Sequence, residues 1–204
     1  MTALRLPELP FGLEPLGPEG QWAYEDGVLT GSAGPKQDRF VPPGGDALEP
    51  ASDAPRLLGA APEGDFQLIA RVSVGFAAAF DAGVLYLHVG EREWAKLCLE
   101  LSPEHPTVCT VVTRGQSDDV NSAVVEGDSC WLRLSRTGGA FAFHASADGE
   151  RWTFVRVFTL GTEEERAAAR IGFLVQSPTG EGCTASFDRI AFRPTAPGDL
   201  RDGS

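Results

Sequence analysis

Between residues 64 and 119 the chain alternates apolar and polar side chains with a period of two, and no other feature limits its fold so closely. In a strand, successive side chains point to opposite faces. Phe66, Leu68, Ala70, Val72 and Val74 therefore share one face, with Gln67, Ile69, Arg71 and Ser73 on the other. Residues 94–101 divide in the same way: Ala95, Leu97, Leu99 and Leu101 against Trp94, Lys96, Cys98 and Glu100. This predicts strands with one face interred between two layers; in residues 94–101 the odd-numbered side chains are interred, while the even-numbered ones form a chemically mixed face turned to solvent or a cleft.

Further strands are expected at 21–24, 28–32, 84–89, 107–113, 130–136, 140–146, 152–160, 171–176 and 183–192. Turn signals separate most of them, among them Gly90, Gly115, Gly138-Gly139 and Asp148-Gly149. Asp26-Gly27 between the first two suits a tight hairpin, because both residues tolerate positive φ. One helix is predicted, from the capping box Thr162 to Glu165 for about two turns through Ala169. Many short strands with one small helix describe an all-β, two-sheet antiparallel sandwich of jelly-roll type. A single sandwich domain is expected over 20–193, with an N-terminal extension at 1–19 and a C-terminal tail at 194–204. Residues 33–55 carry five prolines, excluding a central strand there; such a segment is an ordered loop over a face or a flexible excursion.

Charge narrows the partners. The net charge is −12, which repels nucleic acid and anionic membrane surfaces. The first residues have no apolar run of signal-peptide length, and nothing approaches the ~20 apolar residues of a membrane span. A cytoplasmic protein is expected. Cys98, Cys109, Cys130 and Cys183 lack zinc-finger or disulfide-framework spacing and read as small apolar strand residues. No cofactor or metal is called for by any motif.

The ordered segments F-x-L-x-A-R-V (66–72), G-V-L-Y-L-H-V (83–89), E-W-A-K-L-C-L-E (93–100), V-V-T-R-G-x-S-D-D (111–119), W-L-R-L-x-R (131–136), S-A-D-G-E-R-W (146–152), S-P-T-G-E-G (177–182) and F-D-R-I (187–190) together resemble the domain of unknown function 1349 family. Upstream, Trp22, Gly27 and Asp38-Arg39-Phe40 also resemble that family's opening. The resemblance implies a concanavalin A-like lectin/glucanase sandwich, whose concave face often holds sugar in related folds. It also implies no agreed enzymatic activity, and kinship with a protein described as a regulator of enolase.

Catalysis finds little support. Glucanases of this sandwich carry acids at i, i+2 and i+4, since retaining hydrolysis needs carboxyl groups ~5–5.5 Å apart. No E-x-D-x-E occurs, and Glu91 and Glu93 fall in a turn. His88, His105 and His144 have neither a nucleophile elbow nor a metal-ligand spacing beside them. The even-numbered face is the foremost candidate site: Trp94 to stack on a sugar, Lys96 and Glu100 to bond its hydroxyls, Arg114 beside them, and Tyr86 and His88 if the register across residues 90–93 places them there. Its structural alternative is a cross-strand network of Lys96 and Glu100 with Arg71 or Arg114. The stretch 113–121 is expected to be a loop, with Asp118, Asp119 and Asn121 either capping it or offering calcium oxygens without the full ligand pattern. Residues 146–152 read as a hairpin turn with Trp152 packed beneath. Three functions follow: a non-catalytic module binding a carbohydrate or similar polar small molecule, a regulatory domain docking a protein on its acidic surface, or an enzyme with an atypical site.

Overall fold

The computed structural model describes residues 3–47, 49–50 and 52–204; positions 1 and 2 of the expected N-terminal extension and 48 and 51 of the proline-rich segment lie outside the described residues. Two seven-stranded antiparallel sheets form a sandwich. The first contains β1 (Glu14–Leu16), β4 (Arg56–Ala60), β13 (Arg170–Gln176), β6 (Ala82–Gly90), β7 (Glu93–Leu101), β8 (Pro106–Arg114) and β9 (Gln116–Val124), in that spatial order. The second contains β12 (Thr153–Phe158), β11 (Ala140–Ser146), β10 (Ser129–Thr137), β5 (Phe66–Gly75), β14 (Cys183–Arg193), β3 (Val28–Ala33) and β2 (Trp22–Glu25).

The alternation in the sequence is spent where it was expected. Phe66, Leu68, Ala70, Val72 and Val74 of β5 and Ala95, Leu97 and Leu99 of β7 meet in one inter-sheet core. Leu6, Leu9 and Leu13 of the opening segment join it. The hairpin between β2 and β3 turns through Asp26 (φ 50°) and Gly27 (φ 81°), both in the left-handed region the Asp-Gly pair allows. A single helix, α1 (Glu163–Ala167), starts where predicted, with Thr162 and Glu165 forming a reciprocal capping box. It ends two residues sooner than its sequence suggested.

Three expectations need correction. Residues 116–124 are not a loop but the edge strand β9, reached through a tight turn at Gly115 (φ 77°). Edge strands tolerate polar residues on both faces, so a Gln-Ser-Asp-Asp run disguises one. Beneath the turn that follows β11, Gly149 lies against the ring of Trp131 rather than Trp152. Trp152 stacks instead with the Arg133 guanidinium, 4.4 Å from its ring centroid. Short strands β1 and β4 also add to the first sheet, with Pro55 bounding the latter.

Among the described residues, no helix is long and apolar enough to cross a membrane.

A buried polar strip beneath the proline-rich segment

The outer face of the first sheet is not open. Trp94 and Lys96 are 0% and 1% exposed and Glu100 9%, although they point away from the inter-sheet core. Asp38, Arg39 and Val41, with Asp53 and Ala54 further along the same segment, lie across them. Val41 and Ala54 of that segment, both fully buried, pack with Leu58, Ala82, Val84, Tyr86, Trp94, Cys98, Cys109 and Leu174 into a second apolar cluster. Backbone bonds seam the segment to both sides of the sheet: Ser177 N–H donates to the Gln37 carbonyl at 2.9 Å and Ser117 N–H to the Val41 carbonyl at 2.9 Å. A proline-rich chain cannot supply a strand of its own, but it can lay a few anchored side chains over someone else's.

Sheet register fixes which residues share this face. Lys96 faces Tyr86, and Trp94 faces His88, across β7 and β6. Tyr86 and His88 therefore belong to the strip, with the irregularity falling beyond them between His88 and Gly90. Arg114 does not belong. It pairs with Glu93, so parity turns it to the other side, where it donates to the Thr159 carbonyl at 2.6 Å. Arg71 is equally remote, bonded to Asp188 on the second sheet.

The charges of the strip are held by partners far away in sequence. The Lys96 ammonium donates to Asp38 at 3.0 Å and to Gln176 Oε1 at 2.9 Å. The Gln176 amide in turn donates to Glu100 Oε2 at 3.2 Å, so one glutamine bridges two groups that lie ~13 Å apart along the strand. Burial alone would lower the Lys96 pKa; the carboxylate of Asp38, with Cys98 and Glu100, reverses this and holds it above its ordinary value. Burial pushes Glu100 up to about 7, against the opposing pull of Lys96.

Toward the other end the strip becomes cationic. The Arg39 guanidinium lies 4.2 Å from the Trp94 ring centroid and that of Arg56 5.9 Å from the Tyr86 ring. Asp53 binds both arginines, and their charge outweighs its burial to leave its pKa below the usual carboxylate range. Burial, then the charges of Arg39, Arg56 and Arg170, drive His88 down to about 4, so its imidazole is neutral. Burial likewise lifts the Tyr86 phenol to about 12. Within this end, Tyr86 Oη, Trp94 Nε1, His88 Nδ1 and Arg39 Nε are all buried without a hydrogen-bond partner among the described residues. His88 and Arg39 are half-buried and mark its rim.

Sequence spacing did not single out Asp38, Arg39, Asp53, Arg56 or Gln176 as site residues. The Asp38-Arg39-Phe40 triplet was a visible signal, since an acid-base-aromatic run inside a proline-rich stretch needs a reason to be there.

Comparison with known proteins agrees with this architecture. Residues 16–195 match the model of the family described as "Protein of unknown function (DUF1349)", and the chain belongs to that family. It is 25% identical over 147 residues to "Regulation of enolase protein 1" of Saccharomyces cerevisiae, covering 71% of each chain. A functionally unknown protein from Saccharomyces cerevisiae has a crystal structure superposing with a TM-score of 0.75 at 21% identity, over 92% of this chain and 97% of that one. The GH43 BlXynB protein from Bacillus licheniformis gives 0.63 at 13% identity over 84% of this chain and 34% of its own. The alginate lyase from Klebsiella pneumoniae gives 0.53 at 13%, over 84% and 83%. At these identities the solved structures share the fold.

Proposed function

We propose that this member of the DUF1349 family is a non-catalytic binding module that takes a carbohydrate, or a polar small molecule of similar hydroxyl chemistry, at the Tyr86, His88 and Trp94 end of the strip. One observation carries the reading: Tyr86 Oη and Trp94 Nε1 are fully buried, diagonal to one another across paired strands, and without a hydrogen-bond partner among the described residues. More than nine in ten buried polar groups in native proteins are bonded, and a group left without a partner costs about 1–3 kcal/mol. A ligand hydroxyl entering past His88 and Arg39 would satisfy both donors, with the Trp94 ring for its C–H face once the Arg39 guanidinium shifts. Sandwiches of this fold occurring in a GH43 protein and an alginate lyase are consistent with sugar as the ligand class.

The test is a thermal-shift and calorimetric screen of neutral sugars, sugar acids and sugar phosphates, repeated with Tyr86→Phe. That variant keeps the ring and removes only the hydroxyl. Saturable binding that Tyr86→Phe weakens, without lowering its melting temperature, supports the module; a flat screen contradicts it.

The second reading is a regulatory domain that docks a basic protein partner. The name of the yeast relative and the net charge of −12 favour it. It requires association that weakens with salt and ignores sugars.

A further inference from the structure

At the far end of the same strip, a second cluster stands apart from the sugar reading and does not depend on it. Cys98 on β7 and Cys109 on β8 are direct cross-strand partners, and both are free thiols. Glu100 follows Cys98 by two residues, so the pleat sets it on the same face. The two sulfurs and a Glu100 carboxylate oxygen all lie within 4.8 Å of one another. Cys98 is ~13 Å along the strand from Trp94.

We propose that Cys98, Cys109 and Glu100 form a zinc site. Two thiolates and a carboxylate are a donor set zinc accepts, and tetrahedral Zn–S and Zn–O bonds place ligand atoms roughly 3.5–3.8 Å apart, inside the 4.8 Å within which these three atoms lie. The fourth position falls to solvent on the β9 side, where Asp119, paired with Val111 two residues from Cys109, is exposed on the same face and adds negative charge to draw a cation. Its exposure also gives the ion a route in, since Cys98 and Cys109 are themselves closed off. The Gln176 amide steadies Glu100 through its bond to Oε2, the kind of outer contact that orients a metal-binding carboxylate. Binding would displace both thiol protons to solvent, leaving two thiolates and one carboxylate around a dication, with Lys96 nearby offsetting the surplus negative charge.

The other two cysteines provide an internal control. Cys130 on β10 and Cys183 on β14 belong to the second sheet and to no such group among the described residues.

The experiment is titration of the metal-free, fully reduced protein with Co²⁺ as a spectroscopic substitute for Zn²⁺, followed by Zn²⁺ competition. The expected result is one equivalent of Co²⁺ with a thiolate-to-metal charge-transfer band and strong visible absorption, both abolished by Zn²⁺. Cys98→Ser and Cys109→Ser should each lose the band, Glu100→Gln should weaken affinity at least ~10-fold, and Cys130→Ser should change nothing. Should a cysteine variant fail to fold, wild-type thiol reactivity in mild denaturant, where the buried thiols become accessible, decides: Zn²⁺ must protect two of the four from a disulfide reagent. The proposal is overturned if stoichiometric Co²⁺ yields no thiolate band, if the band survives Cys109→Ser, or if Zn²⁺ protects no thiols.

Discussion

Tyr86→Phe separates a binding group from a structural one. Tyr86 is fully buried, its hydroxyl lies near the Arg39 guanidinium but forms no well-aligned hydrogen bond with it, and burial pushes the phenol up to about 12. Deleting that oxygen breaks no protein hydrogen bond and leaves the ring packed beneath Arg56 and alongside His88. The desolvation cost of an unmet hydroxyl is about 1–3 kcal/mol, partly recovered by the small void its removal leaves, so the variant should gain about 1 kcal/mol. For a chain of this size that raises the melting temperature by about 2–4 °C. Scanning calorimetry at neutral pH reads the shift. In the same protein, affinity for any sugar found by screening should fall about fivefold, the equivalent of one lost hydrogen bond near 1 kcal/mol. Stability gained while binding is lost is the signature of a group kept for function. A melting temperature lowered by several degrees would refute the reasoning, because it would mean that the hydroxyl is already satisfied in the free protein and holds the fold.

Other predictions concern the covering segment. Asp38→Asn removes the carboxylate from a buried ammonium, and such a loss costs about 3–5 kcal/mol, here nearer 3 because Gln176 still accepts from Lys96. The melting temperature should drop by about 6–12 °C. Lys96→Met, which removes the charge that needed a partner, should cost less than about 2 kcal/mol, and adding it to Asp38→Asn should restore most of the loss. A double variant no more stable than Asp38→Asn alone would show that the ion pair is not what fastens the segment. Acid should also weaken the fold in a defined window. His88, held down at about 4 in the fold, takes up its proton near pH 6.5 when unfolded; its contribution is complete above that point and is lost as the pH falls toward 4. His144 is displaced in the same direction by burial and adds to the slope. Denaturant titrations between pH 7 and 4 measure this, and His88→Gln should flatten the curve; an unchanged slope would remove His88 from the explanation.

Local periodicity made the sandwich legible. Phe66 to Val74 and the odd-numbered residues of β7 could satisfy their apolar face only against another sheet, and they do so. Parity also grouped Trp94, Lys96 and Glu100, and register then brought Tyr86 and His88 to them. What the spacing could not convey was the cover. A polar residue on a pleat looks the same whether water or a folded-back segment faces it, and the partner of Lys96 lies 58 residues upstream. Arg114 was misplaced for a related reason. It stands one residue beyond Thr113, the partner of Trp94, and that single step sends it to the opposite face. The strand β9 escaped because its composition is that of a loop, and an edge position permits it.

The most direct measurement is the behaviour of the four tryptophan indole N–H resonances, from Trp22, Trp94, Trp131 and Trp152, during titration with a sugar that raises the melting temperature. The Trp94 signal, identified by its disappearance in Trp94→Phe, should move in a saturable way while the other three stay fixed. A stationary Trp94 signal, with the shifts falling on Trp131 or Trp152 of the second sheet, would contradict the assignment of the site.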